Sequence, residues 1–379
     1  MQSFDNIRPY FDSEIQNVFV RFLSDPELMR GAEVIIPSAV VNDFKQNYRQ
    51  ITDIDTFQVK YMMPMLKNLM KIKHTKITFS GIENIKSPAI FISNHRDIVI
   101  DPSFLQYVLV KNGFKTSEVA IGNNLAADTR ILACMRLNKS FVVMRNLNKG
   151  EQIRAFIELS DYIKHTIAEK KHSIWLAQRE GRAKDSNDKT QASLLKMLAL
   201  SGDDNFINNI KALNLSPLSI SYEYDACDYL KAKELQQKRD NENFIKSTAD
   251  DVVSMQTGVL GYASEIHYAF TPCINEKLDK IAEMRLPRNQ EVDKVAELID
   301  NQIYSNYKIY KNNYIACDLL TNGTTFEKNY TKEDLKNFDS YLSKQIAKID
   351  LANTDIRFCR EKILEMYSNP LKNKLLTEK

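Results

Sequence analysis

The sequence lacks the features that would place it in several common classes. No apolar run in its 379 residues can cross a bilayer: the longest stretch without charge or histidine is 252–264, interrupted by Gly258 and Gly261. A spanning helix needs ~20 mostly apolar residues. Residues 1–14 include Asp5, Asp12 and Glu14 and no apolar core, so no secretory signal is expected. The five cysteines, Cys134, Cys227, Cys273, Cys317 and Cys359, are odd in number and scattered, with no CxxC pair. That argues against a disulfide framework and a zinc site, and fits free, mostly buried thiols in a reducing, cytoplasmic compartment. Glycine and proline, at 10 each, are too few for a flexible linker, and no repeat of ~20–50 residues stands out. One-sided charge is missing as well: the formal net charge is only +3, too small to argue for a nucleic-acid partner.

What is present is enough apolar material for a substantial core, with 43% hydrophobic and 27% charged residues, so the chain is globular. Single cores rarely grow past ~250–300 residues, so one large domain with appendages, or two domains, is expected. Residues 1–76 read as helical, because Ile15, Val18, Phe19 and Phe22, and later Tyr61, Met62, Leu66 and Leu69, recur at helical spacing. Lys67, Lys71, Lys73, His74 and Lys76 run beside the second set. This basic amphipathic segment either packs on a core with a solvated lysine face or lies on an anionic membrane surface.

From 77 to 275 the pattern changes. Short β-branched or aromatic runs predict strands at 77–80, 89–93, 118–122, 140–144, 173–177, 218–224 and 266–272. Helices are predicted at 104–111, 129–137, 151–170, 191–200, 205–213 and 228–262. The alternation argues for an α/β domain, a layered sheet covered by helices. Residues 276–379 form a helical and polar C-terminal extension, and the tail 371–379 is expected to fray.

Four segments could carry chemistry. In the first, a buried strand ends at Ser93 and is followed by Asn94, His95, Arg96 and Asp97, at the sheet edge where active groups collect in α/β folds. Histidine, with an unperturbed pKa of ~6.5, can act as a general base near neutrality, and a nearby carboxylate can hold its tautomer. The plainer reading is a structural histidine, with Asp101-Pro102 marking a helix start. The second segment is a strand closing at Arg145, a surface charge or an anion ligand. In the third, the strand bearing the only tryptophan runs into Arg179, Glu180, Gly181, Arg182 and Lys184. It is either a polar turn or a phosphate-binding loop in which glycine admits close backbone approach. The fourth is a strand entered through Pro217.

In this order the four segments resemble the blocks of the glycerolipid acyltransferases, the family that includes glycerol-3-phosphate and 1-acylglycerol-3-phosphate acyltransferases. Asn94-His95 matches the opening of block one, and His95-Arg96 is similar to the glycerol-3-phosphate branch. Arg145 matches the end of block two, Glu180-Gly181-Arg182 resembles block three with one residue missing, and Pro217 matches block four. The resemblance covers about residues 77–224. One departure bears on the site. The family places four residues between histidine and aspartate, whereas here Ile100 stands in that position and Asp101 follows. Asp101 is the expected partner, because a loop absorbs one added residue easily; Asp97, the rival, needs a tight turn to face the ring.

The resemblance implies a glycerol-3-phosphate acyltransferase-like fold, with a mixed sheet flanked by helices over 77–275 and helical regions at 1–76 and 276–379. It implies O-acyl transfer from acyl-CoA or acyl carrier protein to glycerol-3-phosphate or a lysophospholipid-type acceptor. His95 would be the base and Asp101 its orienting partner. Asn94, Arg96, Arg145, Glu180, Gly181 and Arg182 would bind substrate, with Lys184 assisting. No cofactor and no metal are expected; the partners are the thioester donor, the polar acceptor and a membrane surface. A non-catalytic lipid-binding relative and an ester or thioester hydrolase are the alternatives, the first motivated by the displaced aspartate.

Overall fold

The computed structural model describes residues 4–86, 88–126, 128–202 and 204–378. The seven expected strands are all present: β1 (Lys76–Ser80), β2 (Ile90–Ser93), β3 (Glu118–Gly122), β4 (Ser140–Val143), β5 (Ile174–Ala177), β6 (Leu215–Tyr222) and β7 (Glu265–Phe270). They form one mixed sheet in the order β1-β7-β6-β2-β5-β3-β4. Every neighbouring pair is parallel except β6 with β7. β2 lies in the middle and is buried along its whole length, which accounts for its unbroken apolar run.

Successive side chains leave opposite faces of the sheet. Ile90, Ile92, Ile174 and Leu176 pack on one face against Lys149–Ala168, Ala192–Leu198 and Arg288–Ser305. Phe91, Trp175, Leu218 and Ile220 pack on the other against Met63–Ile72 and Ile100–Lys111. The C-terminal helices Lys311–Thr321, Lys332–Ile346 and Ile356–Thr377 form a further core around Phe338, Leu342 and Tyr367. The N-terminal helices Ile15–Leu23 and Ser38–Asn47 gather around Phe19 and Phe57.

Several boundaries differ from those expected, each for a local reason. The segment expected as one helix over 228–262 is two, Asp228–Asp240 and Thr248–Leu260. The second starts at a reciprocal cap in which the Ser247 hydroxyl accepts from the Asp250 N–H and the Asp250 carboxylate accepts from the Ser247 N–H. β6 begins at Leu215, so Pro217 lies within it. The Pro217 carbonyl accepts from both the amide (3.1 Å) and the hydroxyl (2.7 Å) of Thr271, just past the end of β7. The missing proline N–H therefore falls at the ladder's last rung. The tail does not fray: Ile356–Thr377 is helical and buries Leu371; Lys379 lies outside the described residues.

Lys73 also departs from the expected basic face. Its ammonium turns inward to the carbonyl oxygens of Gly258 (2.5 Å) and Gly261, and burial lowers its pKa. Lys67, Lys71, His74 and Lys76 remain exposed.

Candidate active site

The site is built on the end of the buried strand β2. After Ser93 the backbone leaves the sheet, and the Asn94 side chain takes over the pairing. Its amide donates to the Ile220 carbonyl and accepts from the Ile220 N–H, both at 2.8 Å. Asn94 is thus a buried rung between β2 and β6. Its contacts position the segment that follows.

That segment turns back on itself around two carboxylates. Asp97 Oδ1 accepts from the N–H groups of Val99 (2.9 Å) and Ile100 (2.8 Å), closing the turn that leads into the helix Ile100–Lys111. Asp101 in its first turn points back toward β2, and Oδ2 accepts from the N–H groups of Arg96 (2.6 Å) and Asp97 (3.0 Å) and bonds His95 Nδ1 at 2.8 Å. Its Oδ1 accepts from the Tyr222 hydroxyl at 2.7 Å. The residue added between His95 and Asp101 is absorbed by the turn that Asp97 closes. Burial alone would raise the pKa of Asp101, but the hydrogen bonds from His95 and Tyr222 and the charge of His95 outweigh it and hold the group below the ordinary aspartate range. It is therefore an anion, fully buried, against one edge of the imidazole. Trp175 meets the ring edge-on at 5.4 Å between centroids and is itself anchored by donating from Nε1 to Ser93 Oγ.

His95 opens onto a cavity of about 330 Å³. β3 and β5 pair only at Glu118 with Ile174 and at Val119 with Trp175; beyond that the strands part, and residues on both sides of the gap line the cavity. Its inner walls are apolar, including Ile121, Phe141, Phe156, Leu159 and Ile163. Its polar walls carry Arg145, Glu180, Arg182, Lys184 and Lys246. Arg145 reaches Glu180 at 3.3 Å. Gly181 turns the chain at a φ of +66°, which glycine adopts without strain. Arg182 is only 7% exposed, and its Nη1 has no hydrogen-bond partner among the described residues. Lys184 pairs with Glu234 at 2.9 Å; burial first, then the neighbouring Arg182 charge, lower its pKa to about 8.

The structure brings His95, Arg145, Glu180, Gly181 and Arg182 to one cleft, with Asp101 buried behind His95. It does not bring Asn94 or Arg96 there: both were expected to bind substrate, and Asn94 is spent on its bonds to Ile220. The Arg96 guanidinium turns away and is buried in an ion pair with Asp188, within reach of the Tyr307 hydroxyl (3.4 Å). The ligand role expected for Arg96 is corrected to a structural one, because a buried charge needs a buried counter-charge. Tyr222 and Trp175 had no role assigned from sequence. A period-two reading of β6 would have found Tyr222, which continues the face of Leu218 and Ile220. Among the described residues, no group of three or more His, Cys, Asp or Glu could hold a metal ion.

Residues 76–196 match the family model described as Acyltransferase. A comparison with curated proteins returns no match.

Proposed function

We propose, on the premise that residues 76–196 form an acyltransferase domain of the glycerolipid acyltransferase family, that the protein moves a fatty acyl group from acyl-CoA or acyl carrier protein to a hydroxyl of glycerol-3-phosphate or a lysophospholipid-type acceptor. The observation carrying this reading is the buried His95–Asp101 pair facing a cavity that is cationic at one end and apolar at the other. Asp101 holds the proton on Nδ1, which leaves Nε2 basic. Nε2 takes the proton of the acceptor hydroxyl as its oxygen attacks the thioester carbonyl. The tetrahedral intermediate collapses with loss of the thiolate, which recovers that proton from the imidazolium. One C–S bond breaks, one C–O bond forms, and no acyl-enzyme is needed.

Arg145 and Arg182 would hold the acceptor phosphate, as arginine's planar fork suits it, with Lys184 adding charge. The apolar walls would take the acyl chain, each buried methylene contributing ~0.8 kcal/mol. The displaced aspartate that favoured a non-catalytic relative loses its force, since Asp101 lies 2.8 Å from the ring. The cationic cleft favours an anionic acceptor over bare hydrolysis.

A lysophospholipid acceptor and the acylated product partition into bilayers. No helix among the described residues is long and apolar enough to cross one, and peripheral contact is the proposed mode. Ile245, Val253, Leu260 and Tyr262 are exposed on and beside the helix Thr248–Leu260, which packs next to Met63–Ile72 with its exposed Lys67 and Lys71. Absence of pelleting on anionic vesicles at low salt would refute this mode. The chemistry is tested by following free thiol from a long-chain acyl thioester with and without acceptor. Acceptor-dependent release, abolished in a folded His95→Ala protein, is expected. Equal release without acceptor indicates hydrolysis, and activity surviving the substitution overturns the mechanism.

A further inference from the structure

A second cavity, of about 270 Å³, opens on the other side of Arg182. Its walls are the helices Asp228–Asp240 and Thr248–Leu260 with residues 348 and 350 of the C-terminal region. Most of them lie beyond residue 196, where the family match ends. Arg182, Lys184 and Lys246 line both cavities, so the two meet at these cations. The second adds Lys231, Lys233 and Lys348. The carboxylates of Glu234, Asp250 and Asp350 line it as well, and those of Asp225 and Asp251 pair with Lys231 and Lys246 from outside it.

The carboxylates leave positive charge over. Lys184 is matched by Glu234, Lys233 by Asp350 at 2.5 Å, Lys231 by the buried Asp225 and Lys246 by Asp251, which leaves Lys348 and Arg182. Lys348 reaches only uncharged groups, the amide oxygen of Gln345 and the face of the Tyr229 ring. Among the described residues Arg182 forms no direct ion pair, although Asp97, Asp225 and Asp251 lie near enough to act on its charge, and its buried Nη1 has no hydrogen-bond acceptor. A buried N–H donor left without an acceptor is unfavourable. A bound anion at Arg182 removes that cost, and the lysines behind it extend the favourable potential away from His95.

We propose that this cavity is a second anion site, taking a phosphate-bearing polar group that lies beyond the phosphate held at Arg145 and Arg182. The assignment rests on the acyltransferase reading only for the source of that group. It is either the head group of a lysophospholipid acceptor or the nucleotide phosphates of the thioester donor. Glycerol-3-phosphate has no atoms beyond its single phosphate to fill the cavity. The C-terminal region thereby acquires a part in substrate recognition that the matched domain alone does not supply.

Two measurements on the full chain test it. The first needs no turnover: calorimetric titration with inorganic pyrophosphate, comparing wild type with a Lys233→Ala/Lys348→Ala double variant. Both lysines are at the cavity's rim, away from His95, so the variant is expected to fold, which its thermal transition checks. Binding should weaken about tenfold in the variant and fall with added salt, as screened charge interactions do. Equal affinity in the two proteins overturns the proposal, whether or not the enzyme transfers acyl groups. The second assigns the source. A drop in kcat/KM for a lysophosphatidylglycerol phosphate acceptor relative to glycerol-3-phosphate places the group on the acceptor. A drop for acyl-CoA relative to acyl-pantetheine places it on the donor. Weakened pyrophosphate binding with neither ratio moved retains the anion site and overturns its role in acyl transfer.

Discussion

Asp97 and Asp101 share one buried turn, yet their surroundings move them in opposite directions. Burial, and then the charge of Asp101, push Asp97 above the ordinary carboxylate value. Donors from His95 and Tyr222 pull Asp101 below it in spite of burial. Asp101→Asn should therefore lower kcat by ~10³–10⁴, because the amide no longer fixes the imidazole tautomer, while leaving KM for acceptor nearly unchanged. Asp97→Asn retains an oxygen for the Val99 and Ile100 N–H groups and should keep most activity. Steady-state kinetics on both variants decide the matter, and the reverse ranking makes Asp97 the partner. His95 was legible because it follows a buried run in a recognisable order. Arg96 was misread because its counter-charge, Asp188, is 92 residues away, and nothing adjacent to Arg96 signals it.

At the scale of elements, the turn from His95 to Asp101 is wedged between its own helix and Thr248–Leu260. Gly258 on the latter stands against the Asp97 carboxylate: a Cβ there would lie 1.9 Å from Oδ2. Alanine would gain ~1 kcal/mol of helix propensity, but overpacking at a fixed, buried group costs ~1–3 kcal/mol, and Asp97 is held by two backbone bonds. The second effect should win. Gly258→Ala is expected to lower the thermal midpoint and to reduce kcat several-fold by shifting the turn that places Asp101. An unchanged or raised midpoint with full activity shows that the two helices give way without cost. The strands were legible because Phe91, Phe141 and Ile220 fall in short runs whose period differs from that of the helices. The break at 241–247 was not, because the polar residues before Ser247 read equally well as a solvated helix face.

For the molecule as a whole, the C-terminal region is fastened to the site from behind. Tyr307 approaches Arg96, Asn369 donates to the Asp185 carbonyl at 2.7 Å, and Asp228 bridges its helix to two others. At Asp228, Oδ2 accepts from Tyr341 (2.7 Å) and Tyr367 (3.0 Å), and Oδ1 from Gln345 (2.6 Å). None of these partners is a cation. Burial first, and Asp225 second, push its carboxyl up to about 7, with the tyrosine hydroxyls only partly opposing them. In the unfolded chain the same group titrates near ~3.9. Between those values the folded protein holds a proton that the unfolded chain has lost, so stability falls as pH rises through this window. The full effect is on the order of 4 kcal/mol, and it ends once the folded group has ionised above about 7. Asp228→Asn, uncharged at every pH, removes this term while keeping an oxygen for one tyrosine. Urea unfolding at pH 5 and pH 8 should show wild type losing stability across the interval relative to the variant, so that the variant gains on it most at pH 8. A pH slope identical in the two proteins indicates that Asp228 is ionised throughout, and that its four neutral donors, the Tyr229 N–H included, suffice to hold a buried anion between the helices.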